Sequence, residues 1–141
     1  MLNLNHLGAI RGHLPATVGL PADYFLGRGC FVDAKGPLTI AAGTYWGYGV
    51  RVLTRSHAIG EGGVGAVIPR PVVVARGAWI GSFALLYNCQ IGEGAIVAAG
   101  AVVRSCEVAP RVMVAGNPAE VVARWDGSAW QYLAERRRVL R

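Results

Sequence analysis

In three runs between Ile40 and Val103 a bulky apolar residue returns at every sixth position, with small residues following it. One run carries Ile40, Trp46 and Val52, a second carries Val74, Ile80 and Leu86, and a third carries Ile91, Val97 and Val103. A one-residue slip across Tyr87 to Gln90 separates the last two runs. A helix would space its apolar residues three and four apart and a half-buried strand would alternate them, so neither template accounts for a sustained period of six. Six residues do fit one flat side of a parallel β-helix, in which a short strand supplies the inward aliphatic residue and a glycine or small residue makes the corner. Three sides complete a coil, and coils stack their aliphatic residues into one continuous column, so no coil is stable alone.

Phe83, in a corner-adjacent slot usually given to a small residue, and the slip at Tyr87 to Gln90 are expected to distort one corner. Ser56 to Pro71, rich in glycine with Gly60, Gly62, Gly63 and Gly65, reads as a loop that leaves the coil. After Arg104 the period dissolves into a turn marked by Pro110 and Pro118. Asp126 and Ser128 then offer N-caps for a short helix over Ala129 to Val139, whose Trp130, Leu133 and Val139 would close the end of the column. Leu2, Leu4, Leu7 and Ile10 read as an irregular first coil or a cap. The pattern therefore predicts an all-β chain: one domain over residues 1–141, with coils at about 26–118, the loop excursion at about 57–71 and a C-terminal helix at about 127–139.

Composition agrees with one packed domain. The 141 residues are 53% hydrophobic and 16% charged, and 20 glycines with 7 prolines exclude a simple helix bundle. No apolar stretch reaches the ~18 residues of a membrane span, and the N-terminus lacks a basic region followed by an apolar core and cleavage site, so a cytoplasmic protein without a membrane partner is expected. Cys30, Cys89 and Cys106 are widely spaced and form no CxxC pair, which suggests buried thiols in place of a disulfide framework or a zinc ribbon. The net charge of +6 is carried almost entirely by arginine, with a run at Arg136, Arg137 and Arg138. Without interleaved aromatics that run reads as a solvated face, not a nucleic-acid site, and an anionic ligand such as a phosphate-bearing cofactor is an equal use of the charge.

His57 is the one histidine inside the repeats, at the end of a hexapeptide and the start of the glycine-rich excursion. A histidine held by a backbone carbonyl at one ring nitrogen has a fixed tautomer and an ordinary pKa near neutrality, which suits a general base. His6 and His13 lie in the less legible N-terminal region and read as structural or solvent-facing.

The segments Thr54-Arg-Ser-His57, Val72-Val-Val-Ala-Arg-Gly-Ala-Trp-Ile-Gly-Ser82, Ile91-Gly-Glu-Gly-Ala-Ile-Val-Ala-Ala-Gly-Ala-Val-Val-Arg104 and Val114-Ala-Gly-Asn-Pro-Ala-Glu-Val-Val occur in one consistent order. Together they resemble the hexapeptide-repeat acyltransferases, most of all the maltose, galactoside and polysaccharide O-acetyltransferases. The resemblance runs from about Gly29 to Arg124. It implies a left-handed parallel β-helix, an exception to the usual right-handed crossover, assembled as a homotrimer with active sites between subunits and acetyl-CoA along the coil edges. His57 matches the position of the general base that deprotonates an acceptor hydroxyl. Trp79 and Ser82 match positions flanking the thioester and the pantetheine arm, and Ala99 and Gly100 match the coil whose backbone contacts the same arm. Arg104 matches a basic position near the nucleotide end. Glu120 stands where a Lys or Arg normally follows the Asn-Pro-Ala turn, and Arg124 would compensate.

Asp33 is a candidate to bind the acceptor or to orient His57, although an equally good reading is a solvated carboxylate. The asparagine that many sugar acetyltransferases carry before Gly-Cys is missing from Leu26-Gly-Arg-Gly-Cys30, as is the long N-terminal extension of the maltose type. The expectation is an acetyl-CoA-dependent O-acetyltransferase acting on a sugar or polysaccharide hydroxyl, without a metal. Alternatives are an N-acetyltransferase acting on an amino sugar and a trimeric scaffold that has lost the chemistry. A zinc-dependent carbonic anhydrase of the same fold needs three histidines, and the coils hold one.

Overall fold

The computed structural model describes residues 10–11 and 27–133, all in strands, turns and extended connections, with no helix among them. A two-residue strand, β1 (Ile10–Arg11), pairs in parallel with the first coil. That coil runs through β2 (Phe31–Asp33), β3 (Leu38–Ile40) and β4 (Tyr45–Trp46). The second coil begins with β5 (Arg51–Leu53), departs into β6 (Arg55–Gly60) and β7 (Gly63–Pro69), and returns through β8 (Val72–Val74) and β9 (Trp79–Ile80). The third consists of β10 (Leu85–Ile91) and β11 (Ile96–Val97), and the fourth of β12 (Val102–Val108) and β13 (Val112–Ala115). Two antiparallel strands, β14 (Glu120–Trp125) and β15 (Trp130–Tyr132), follow on.

Parallel register sorts these strands into three faces. Face one stacks Val32, Val52, Leu86 and Val103. Face two stacks Ile40, Val74, Ile91 and Val108, and face three stacks Trp46, Ile80, Val97 and Val114. Every one of these side chains is buried, and they form one core. This is the left-handed β-helix of hexapeptide repeats. The column was readable from the period because each inward residue sits directly on the one below, and burying a Leu, Ile or Val is worth about 1.5–3 kcal/mol. Trp46, the one aromatic in the column, keeps its indole N–H satisfied by donating to the buried Thr44 hydroxyl at 2.8 Å.

The slip at Tyr87 to Gln90 is a shortened corner. Asn88 takes a left-handed backbone conformation (φ 48°), so β10 bends from face one to face two without an intervening loop. Ser105, 17 residues on, does the same (φ 51°), and the Asn88 amide donates to the Ser105 hydroxyl at 3.3 Å. The upper coils are thus each one residue short of three hexapeptides. The distortion expected at one corner is therefore a regular feature of two. Phe83 also adopts a left-handed conformation (φ 62°), at the corner where Gly49 and Gly100 do so below and above it. A Cβ on Gly49 would lie 2.6 Å from the Phe83 ring, which leans over the glycine.

Three expectations are corrected. The stretch after Arg104 is not a turn, because β12 runs on to Val108 and β13 completes face three; the six-residue period is lost there only because the corner is shortened. The glycine-rich excursion is an ordered antiparallel hairpin with a turn at Glu61 and Gly62. The C-terminal helix from 127 is not formed. Asp126 does accept the following amides, Ser128 at 2.8 Å and Ala129 at 2.9 Å, but with Gly127 at φ 106° this closes a hairpin turn that brings Trp130 edge-on to Trp125 at 5.8 Å. Residues 134–139 of the expected helix, the arginine run, His6, His13 and Leu2 to Leu7 lie outside the described residues.

Candidate active site

The hairpin of β6 and β7 leaves the edge between faces one and two, and its root is tied down by hydrogen bonds. The Thr54 hydroxyl donates to the Asp33 carbonyl at 2.6 Å and accepts from the Gly36 amide at 2.9 Å. The Arg70 amide closes the root on the Thr54 carbonyl at 2.7 Å. Arg55 grips Asp33 with two donors, Nε to Oδ2 at 3.0 Å and Nη2 to Oδ1 at 3.2 Å. The Asp33 carboxylate is nearly buried, and Oδ1 also accepts from the Lys35 amide at 3.3 Å.

His57 stands two residues beyond Arg55 on the same strand, exposed to solvent. The pairing shifts between His57 and Ile59, so Gly65 and Ala66 together oppose Ala58. Such a bulge re-aims the backbone, and here it turns the Gly65 carbonyl to within 3.0 Å of His57 Nδ1. A carbonyl only accepts, so Nδ1 is the donor in this bond, and in the neutral ring Nε2 is the nitrogen that bears the lone pair. A side chain at Gly65 would place its Cβ 3.4 Å from the Ala58 carbonyl oxygen, a tight contact.

The other candidate residues lie elsewhere. Ser82, Ala99 and Gly100 stack at the edge between faces three and one, where the Gly100 amide donates to the Ser82 carbonyl at 2.8 Å. Glycines beneath make that stacking possible: a Cβ on Gly47 would come within 2.5 Å of the Ser82 amide nitrogen, and one on Gly81 within 2.5 Å of that of Ala99. The Ser82 hydroxyl accepts from the Tyr48 amide at 3.1 Å. Among the described residues, nothing accepts from the amides of Ser82 or Ala99. Trp79 points outward from face three, in register with Tyr45 and Ile96, and these three line a depression of about 400 Å³ with Gly77 and Gly94.

Arg104 is exposed at the end of face one beside Tyr87, whereas Arg124 lies on β14 opposite Val112 and Gln131. His57 and Asp33 therefore share one edge of face one, and Ser82, Ala99 and Gly100 share the other. Five residues at ~3.3 Å each separate the two edges, so the edges stand roughly 17 Å apart in one chain. Sequence reasoning missed Arg55 and the Gly65 carbonyl. The alternation of a strand would have put Arg55 on the His57 side, but nothing in the sequence marks a bulge.

The fold defines the class before any comparison does: a left-handed β-helix with one hairpin excursion bearing a histidine. Residues 71–105 match the bacterial transferase hexapeptide (six repeats) family. The fold matches a hexapeptide-repeat acetyltransferase of Vibrio cholerae solved with acetyl coenzyme A, at 25% identity and a TM-score of 0.69, covering 77% of this chain and 61% of that one. It also matches a maltose O-acetyltransferase of Clostridium difficile at 21% identity and a TM-score of 0.70 (79% and 60% covered), and a galactoside acetyltransferase solved with coenzyme A at 20% and 0.60 (67% and 48% covered). The chain resembles the hexapeptide-repeat acetyltransferases in repeat and in fold, and spans about three fifths of the length of the first two. Comparison with curated proteins finds no match. No helix among the described residues is long and apolar enough to cross a membrane.

Proposed function

We propose that the protein is an acetyl-CoA-dependent O-acetyltransferase in which His57 is the general base and the acceptor is a hydroxyl of a sugar or polysaccharide unit. The observation that carries this reading is the His57 Nδ1 to Gly65 carbonyl hydrogen bond of 3.0 Å, which leaves Nε2 free to take a proton. The acceptor hydroxyl gives its proton to Nε2 as its oxygen bonds to the thioester carbonyl carbon. The carbon–sulfur bond then breaks, and the proton passes from His57 to the departing thiolate. Acetyl-CoA supplies the activated acyl group. The unclaimed amides of Ser82 and Ala99 are suited to the carbonyl oxygens of its extended arm and to the charge that develops on the thioester oxygen. Trp79 offers an apolar wall, and Arg104 and Arg124 offer guanidinium groups for phosphate.

Because His57 and the Ser82–Ala99–Gly100 edge do not meet within one chain, the reading requires a second copy whose hairpin comes beside that edge. A homotrimer with three such clefts satisfies this. Ile59, Val64 and Val67 on the hairpin are large, apolar and exposed in the isolated chain, as such a contact requires. The setting proposed is cytoplasmic polysaccharide biosynthesis.

The test is thiol release from acetyl-CoA across a panel of sugars and amino sugars, with sedimentation to fix the assembly. Transfer to a sugar hydroxyl by a trimer supports the reading. Transfer only to amines replaces the acceptor class. Absence of both thiol release and acetyl-CoA binding leaves a structural scaffold in its place.

A further inference from the structure

The Arg55–Asp33 pair defines what kind of acceptor the His57 edge selects, and this inference rests on the acetyltransferase reading above. A guanidinium has two bidentate edges, one formed by Nε with one terminal nitrogen and the other by the two terminal nitrogens. Asp33 occupies the first, through Nε at 3.0 Å and Nη2 at 3.2 Å. The second edge, formed by Nη1 and the remaining Nη2 hydrogen, has no partner among the described residues. The Arg55 side chain keeps a third of its surface exposed.

Three further features aim and charge it. The side chains of Arg55 and His57 alternate onto the same face of β6, about 7 Å apart along the strand. Asp33 is itself held by the Lys35 amide and sits on the coil wall, so the guanidinium plane is set by a fixed group. The root segments carry three basic residues, Lys35, Arg55 and Arg70, against the one acidic residue Asp33. Arg70 adds a buried Nε with no hydrogen-bond partner among the described residues. Asp33, with both oxygens engaged, is poorly placed to receive the hydroxyl of a neutral sugar.

We propose that the acceptor is a hydroxy acid, whose carboxylate is taken by the open edge of Arg55 while its hydroxyl lies on His57 Nε2. A planar carboxylate matches the two parallel N–H groups that remain, and a spacing of a few bonds between carboxylate and hydroxyl spans the gap from Arg55 to His57. A sugar acid and a hydroxy amino acid share this chemistry.

The test compares acceptors in matched pairs, D-galacturonate with D-galactose and L-serine with L-serinamide, by thiol release from acetyl-CoA and by the thermal shift each acceptor produces. The wild type should favour the acid of at least one pair by about tenfold or more in kcat/KM. The pair that shows the preference tells the two sources apart. Arg55→Lys, which keeps the charge but loses the fork, should erase the preference through a higher KM for the acid. Arg55→Gln, which can still donate to Asp33, serves as the second variant should the first fold poorly. Equal use of acid and neutral partner by the wild type, or a preference that survives both substitutions, overturns the inference and leaves the acetyltransferase reading standing. If no acceptor releases thiol and acetyl-CoA does not bind, the reading itself falls. The thermal shifts then decide this inference alone: stabilisation by an acid and not by its neutral partner, lost in Arg55→Lys, supports it, and its absence refutes it.

Discussion

The Gly65 carbonyl lies 3.0 Å from His57 Nδ1, across a bulge that gives β7 one residue more than β6 opposite the site. That one contact selects the tautomer, and with it the nitrogen that can act as a base. Removing the imidazole should therefore remove the chemistry while leaving the coils intact. His57→Ala is expected to lower acetyl transfer by ~10²–10⁴-fold, in the range for general-base catalysis. Unchanged urea unfolding would show that the loss is chemical. A variant with wild-type turnover would dismiss His57 as the base.

Two glycines should respond to alanine in a set order. At Gly81 the new Cβ would meet the Ala99 amide nitrogen at 2.5 Å and the Val97 carbonyl oxygen at 2.8 Å, both backbone atoms of the coil above. Overpacking of this sort costs about 1–3 kcal/mol. Gly100 is open above its Cα but holds φ 71°, so Gly100→Ala should cost about 1 kcal/mol through the left-handed backbone alone. Urea midpoints for the two variants should fall in that order, and the reverse order would show that the coils are not stacked in this register.

The core column should be sensitive at its centre. Leu86 is wholly buried between Val52 and Val103. Leu86→Ala is expected to cost about 2–5 kcal/mol, because the coils above and below cannot close on the cavity. Chemical denaturation measures it directly.

The three thiols should separate by reactivity. Burial raises the pKa of Cys89 to about 12 and that of Cys30 above its ordinary value, so both remain neutral thiols at pH 8. Cys106 is exposed at the upper end of face two. A thiol reagent at pH 8 should modify Cys106 quickly and the other two only on unfolding, and fast modification of two thiols in the native protein would contradict this.

The last hairpin should depend on a carboxylate. Hydrogen bonds from Ala129 and Ser128 hold Asp126 below the ordinary carboxylate range. Because its folded pKa is depressed, its contribution is present above the unfolded value of ~3.9 and is lost as the pH falls through the lower folded one. The near-UV circular dichroism of the Trp125–Trp130 pair should therefore persist at pH 5 and weaken well below pH 4. In Asp126→Ala it should already be weak at pH 7.

Local period and composition determined much of this protein. Ile40 through Val103 reads directly as a stacked column, because in a parallel β-helix each inward position repeats within one short segment and meets its own equivalent in the next coil. His57 was visible for a related reason, since it stands where the period breaks. What the sequence left undecided lies where distant backbone segments meet. Asn88 and Ser105 bend without glycine, so the shortened corner looks like a fault until the register shows it twice. Asp126 caps a turn as well as it would cap a helix, and only the edge-on packing of Trp130 against Trp125 and the pairing of β15 with β14 decide for the hairpin. Arg55 is one arginine among many until the coil brings Asp33 within 3.0 Å of it across 22 residues. Periodic burial is a property of neighbours along the chain, whereas tautomer, ion pair and bulge depend on which atoms the completed coils place side by side.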